Sequence, residues 1–106
     1  MSYNLFLDDW KVPTDCRNYN GDGSIYDTEE FFIARDYDKF YEIIKREGVP
    51  KFVSFDYDLG LCPKDGLECA KFLKFYCEEL GVDFPEYNVH SSWPGIKGEF
   101  VDIISK

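Results

Sequence analysis

Four short apolar runs recur along this chain, and the segments between the later ones carry a different period. The runs are 3–7 (Tyr-Asn-Leu-Phe-Leu), 31–35 (Phe-Phe-Ile-Ala-Arg), 51–55 (Lys-Phe-Val-Ser-Phe) and 86–90 (Glu-Tyr-Asn-Val-His), each of strand length. Elsewhere apolar residues fall three and four apart, which predicts helices over 36–47, 66–80 and 97–105. The first helix puts Tyr37, Phe40, Tyr41 and Ile44 on one face, with Asp36 to cap it and Gly48 to stop it. The second carries Leu67, Ala70, Leu73, Cys77 and Leu80 as its buried stripe, with Asp65 and Glu68 at capping-box spacing and Gly81 at its end. The third turns Phe100, Val101 and Ile104 inward. Such alternation requires a parallel sheet with crossover connections. Residues 10–30, rich in Asp, Asn and Gly and without helical period, read as a long loop, and loops of that length in small domains are often functional.

The 106 residues are enough for one domain, 1–106, and no repeat divides them. Aromatic residues make up 19% of the chain, so a small core can still bury a large area. The net charge of −9 repels duplex nucleic acid, and an anionic ligand then needs a cation between it and the protein. The four cysteines have no zinc spacing, and there is one histidine. No basic-then-apolar leader and no transmembrane run is present, so a cytoplasmic protein with reduced thiols and no membrane partner is expected.

In open parallel sheets, ligands bind beyond the carboxyl ends of the strands, near the point where strand order switches. Here strand one exits into Asp8-Asp9, strand three into Asp56-Tyr57-Asp58, and strand four into His90-Ser91-Ser92. With strands one and three adjacent, in the order 2-1-3-4 of a flavodoxin-like sheet, Asp8, Asp9, Asp56 and Asp58 converge. Converging carboxylates either share protons or hold a cation. Oxygen donors select hard cations, so Mg²⁺ (or Mn²⁺) is the expected cofactor and a phosphate-containing small molecule or nucleotide the expected partner. The competing reading is that these are solvated turn residues, which Asp favours.

His90 is the candidate general acid or base, with Asp56 and Asp58 as its catalytic companions, although a lone histidine is as readily a satisfied structural residue. Ser91, Ser92, Lys97 and Arg35 are the candidate phosphate-binding residues; for Lys97 and Arg35 a surface ion pair is the alternative. Lys64 is placed to swing over the pocket or to remain a solvated loop lysine. Trp10 and Trp93 flank the site, either to stack on a ring or to close the rim of the core.

The series Leu5-Phe6-Leu7-Asp8-Asp9, Ala34-Arg35, Ser54-Phe55-Asp56-Tyr57-Asp58-Leu59-Gly60, Gly66 with Ala70-Lys71-Phe72-Leu73, Val89-His90-Ser91 and Pro94-Gly95 resembles the cyclic-phosphate processing receiver-like domain, a relative of bacterial and phage response-regulator receivers. The resemblance spans nearly the whole chain. It implies a small three-layer α/β receiver-like fold, an acidic metal site at Asp8, Asp9, Asp56 and Asp58, and a role in handling cyclic phosphates of nucleotides or RNA ends. For a phage-encoded chain, the compartment it implies is the host cytoplasm. Two positions depart from the family pattern: Tyr57 stands where the family has His, and Trp93-Pro94-Gly95-Ile96-Lys97 replaces a segment that carries Arg. Three readings follow. They are a metal-dependent phosphoesterase, a receiver-like signalling module phosphorylated on Asp56, and a non-catalytic nucleotide- or protein-binding module.

Overall fold

In the computed structural model, β1 (Asn4–Leu7) lies between β2 (Phe31–Ala34) and β3 (Phe52–Phe55), and β4 (Glu86–Val89) pairs with the far side of β3. All pairings are parallel, in the expected order 2-1-3-4. Residues 3–16, 26, 30–60, 63–91 and 93–105 are described. Among the described residues, the strands are followed by the helices α1 (Tyr37–Glu47), α2 (Gly66–Leu80) and α3 (Ile96–Ser105). The segment read as a loop contains a 3₁₀ turn at Pro13–Cys16; its parts 17–25 and 27–29 lie outside the described residues, as does Cys62.

The strand period of two sends alternate residues to opposite faces. Leu5, Leu7, Val53, Phe55 and Val89 meet the helices, where Phe40 and Ile44 of α1, Leu73 and Cys77 of α2, and Phe100 of α3 close over them. The ring of Phe55 touches those of Phe40, Phe84, Tyr87 and Phe100, with centroids 5.1 to 6.4 Å apart. The other face carries Phe6, Phe31 and Ile33, covered by Cys16 and Tyr26 as a third layer. Ser54 faces this side too, paired in register with Phe6 on one flank and Asn88 on the other.

Helix ends follow the capping chemistry. The Asp36 carboxylate accepts the Lys39 N–H at 2.8 Å, and that of Asp65 accepts the Glu68 N–H at 3.1 Å. Gly81 ends α2 in the left-handed region at φ 69°. Three expected core positions are exposed instead: Tyr41 at 42%, Leu80 at 55% and Val101 at 47%. Tyr41 leans along the surface onto the ring of Phe72, with centroids 4.9 Å apart. Leu80 is the last residue of α2, and Val101 lies one step round from the Ile96, Phe100, Ile104 row that fills the buried face of α3.

Candidate functional site

Asp8 leaves β1 on the Phe6 side and is 1% exposed. One carboxylate oxygen, Oδ1, accepts the N–H groups of Trp10 and Lys11, both at 3.0 Å, which curls 8–11 into a tight turn. The other, Oδ2, lies 2.8 Å from His90 Nε2. The imidazole stacks on Phe6 at 4.7 Å and 3°, and its Nδ1 lies 2.7 Å from Ser54 Oγ. Arg35 Nη1 donates to the carbonyls of Lys11 at 2.6 Å and Asp8 at 3.3 Å, bracing the same turn from its other side.

Asp56 leaves β3 beside it, its N–H bonded to the Leu7 carbonyl at 3.0 Å. The start of α2 packs against this exit so closely that a Cβ on Gly66 would sit 1.8 Å from the Asp56 carbonyl oxygen. The Gly66 N–H donates to the Tyr57 carbonyl at 2.8 Å. Asp58 accepts the Gly60 N–H at 2.9 Å, and Gly60, at φ 69°, leaves room for Asp9 Oδ2, which would lie 3.1 Å from a Cβ there.

These exits surround an open cleft of about 390 Å³ lined by Asp9, Asp56, Asp58, Lys11, Ser91, Pro94 and the rings of Trp10 and Trp93. Burial and the charge of Asp8 push the Asp56 carboxyl up to about 7. Burial and Asp8 also raise Asp9. Asp8 goes the other way. Burial would raise it, but the hydrogen bonds from His90, Lys11 and Trp10 hold it below the usual carboxylate range. One carboxylate is therefore fixed as an anion and its neighbour is held at the edge of ionisation.

Asp8, Asp56 and His90 bring donor atoms within 4.8 Å of one another, while Asp9 and Asp58 line the cleft beside them. The expectation of four converging aspartates is thus redrawn as an inner pair and a rim pair. His90, read from the sequence as a candidate general acid or base or else a satisfied structural residue, has a fully buried side chain with Asp8 and Ser54 at its two ring nitrogens. Arg35 reaches the backbone carbonyls of Lys11 and Asp8 with its guanidinium and is not among the described residues lining the cleft. Lys97, exposed in the first turn of α3, is not among them either, whereas Lys11 is. Ser91 lines the cleft, and Ser92 lies outside the described residues. The ammonium of Lys64 sits 4.2 Å over the Tyr37 ring in a separate depression.

The sequence reading missed Lys11, Ser54, Tyr26 and Asn88. A signal for Ser54 existed: it is the one hydroxyl within Phe-Val-Ser-Phe, on the opposite parity from Val53 and Phe55.

The sequence profile of the Cyclic-phosphate processing Receiver domain matches residues 3–105. The crystal structure of the receiver domain of NtrX from Brucella abortus is similar in fold, with a TM-score of 0.56 and 21% identity over 96% of this chain and 94% of that one. A longer NtrX structure from the same organism gives a TM-score of 0.55 and 18% identity over 99% of this chain and 26% of that one. A fusion carrying a yeast Spc42 coiled coil gives 0.57 and 15% identity over 98% of this chain and 63% of that one. No curated protein matches the sequence.

Proposed function

The chain belongs to the cyclic-phosphate processing receiver domain family, and from that membership and the geometry of its cleft we propose that it uses a divalent cation, Mg²⁺ or Mn²⁺, to process the phosphate of a nucleotide or an RNA end. Asp56 carries this reading. Its carboxyl lines an open cleft, shares a 4.8 Å cluster with Asp8, and stands at about 7 because of burial and that neighbouring charge. A buried carboxylate beside a partly buried one is a like-charged pair of hard oxygen donors that a Mg²⁺-sized ion compensates. The residues present therefore fit the cation, with Asp8 and Asp56 to hold it and Asp9 and Asp58 beside them.

A bound cation of this kind polarises a phosphate oxygen and lowers the pKa of water. The remaining roles belong to side chains. Lys11 is the cationic partner for the phosphate, and Ser91 offers a hydroxyl to it. Asp58, at the rim, orients a water and takes its proton. Trp10 and Trp93 stand exposed, at 72% and 56%, as surfaces on which a base can stack. His90 acts through Asp8 and does not reach the leaving group.

The test is ³¹P NMR of a cyclic nucleotide incubated with the protein and Mg²⁺. Ring opening by the wild type and none by Asp56→Asn is the expected result. Cation-dependent binding without product supports the non-catalytic reading, and neither binding nor product counts against the proposal. A phosphoryl group on Asp56 is a second reading, favoured by the receiver fold. Incubation with a small phosphodonor and Mg²⁺, read by intact mass, separates the two.

A further inference from the structure

Behind the cleft, a file of polar side chains runs away from Asp8 along the face of the sheet opposite the helices. His90 Nε2 lies 2.8 Å from Asp8 Oδ2, His90 Nδ1 2.7 Å from Ser54 Oγ, and Ser54 Oγ 2.7 Å from the Tyr26 hydroxyl. Asn88 Nδ2 donates to that hydroxyl at 2.9 Å. His90, Ser54 and Tyr26 are 2% exposed or less. A buried polar group left unsatisfied is costly, so the file holds together only when every proton finds an acceptor.

The order of donors follows from the two ends. At one end the Asn88 amide can only give a proton to Tyr26. At the other, Asp8 already accepts two backbone N–H groups on Oδ1, which favours its ionised, accepting form at Oδ2 as well. Between them, Tyr26 gives its proton to Ser54, Ser54 gives its own to Nδ1, and Nε2–H gives to Asp8. Every donor is then used once, and all point toward the cleft. A proton on Nδ1 would turn the Ser54 hydroxyl back onto Tyr26, whose oxygen already receives one from Asn88. Phe6 stacks on the ring and the nitrogens are held at both edges, so the imidazole has a fixed plane.

We propose that Ser54 and Tyr26 are positioning residues that hold His90 as its Nε2–H tautomer, so that the ring delivers a single directed hydrogen bond to Asp8. Neither touches the cleft. Their effect reaches it through the orientation of one carboxylate. The proposal concerns the cation-free protein and does not depend on the function inferred above.

The chain has one histidine, so its two ring nitrogens are read without assignment in a long-range ¹H–¹⁵N correlation on the full-length, ¹⁵N-labelled protein without metal at neutral pH. The expected spectrum shows a protonated, pyrrole-type Nε2 and an unprotonated, pyridine-type Nδ1. Ser54→Ala is expected to move both nitrogens toward the averaged shifts of mixed tautomers. Tyr26→Phe, which keeps the ring and removes the proton, should do so to a smaller degree. Ser54→Thr, which restores a hydroxyl, should return the wild-type pattern. A wild-type spectrum with the proton on Nδ1 overturns the proposal. So do folded Ser54→Ala and Tyr26→Phe proteins with unchanged imidazole shifts. Should Ser54→Ala fail to fold, the wild-type and Tyr26→Phe spectra decide it.

Discussion

Asp8 Oδ2 and His90 Nε2 lie 2.8 Å apart with both side chains shut away from solvent, beyond the carboxyl ends of β1 and β4, the two strands that flank β3. The contact joins residues 82 positions apart and fixes the carboxylate against which Asp56 must ionise. Burial first, and then the charge of Asp8, set the pKa of Asp56 and with it the pH dependence of the cleft.

Asp56 should make the metal-free protein less stable as pH rises. Its folded pKa of about 7 exceeds the ordinary 3.8, so between those values the native state binds more protons than the unfolded chain, and stability falls across that window. Asp8 has the opposite sign. Its lowered pKa contributes stability above 3.8 that is lost as pH falls through the folded value. Urea midpoints measured from pH 4 to 8 should show the decline, and Asp56→Asn should remove it. Millimolar Mg²⁺ should restore stability to the wild type at pH 8 and do nothing for the variant. A wild-type curve identical to that of Asp56→Asn would contradict the assignment.

Gly66→Ala should destabilise the fold by about 1–3 kcal/mol, because the new methyl group would meet the Asp56 carbonyl and push α2 off the strand exit. Gly98→Ala, in α3 with nothing within 4 Å of the added carbon, is the matched control and should stabilise by about 0.5–1 kcal/mol. Thermal denaturation of the pair checks both signs. The Gly66 variant should also bind Mg²⁺ more weakly, since the backbone it displaces carries Asp56.

Lys11→Ala should weaken binding of a phosphate-bearing ligand by about tenfold, the loss of one charge-assisted contact. Lys97→Ala should change it little, because Lys97 is not among the residues lining the cleft. Both tryptophans of the chain do line it, so quenching of intrinsic fluorescence by a cyclic nucleotide reads occupancy directly. Equal losses in the two variants would show that the anion is held by general charge and not by Lys11.

The strand order and the position of the cleft were legible in the sequence. Short apolar runs of strand length marked the strands, and an aspartate at each of two adjacent exits marked the mouth between them. The cations were harder to read. Lys11 reaches the cleft and Arg35 does not because the Asp8 carboxylate draws in two backbone N–H groups and curls 8–11, a turn no spacing rule announces. The burial of His90 was hidden for a similar reason. Its ring is stacked by Phe6 and bonded to Ser54, residues on two other strands, so the contacts that enclose it exist only after the sheet has formed. Val101 and Tyr41 show the coarser limit, since adjacent positions on a helix both satisfy an apolar pattern when only one can face the core.

A crystal soaked in Mn²⁺ tests the proposed cation site most directly, through the anomalous signal of the metal. A single strong peak in contact with carboxylate oxygens of Asp8 and Asp56, lost in Asp56→Asn, is the expected result. A peak elsewhere on the chain, or no peak at a Mn²⁺ concentration that saturates the calorimetric titration, would contradict it.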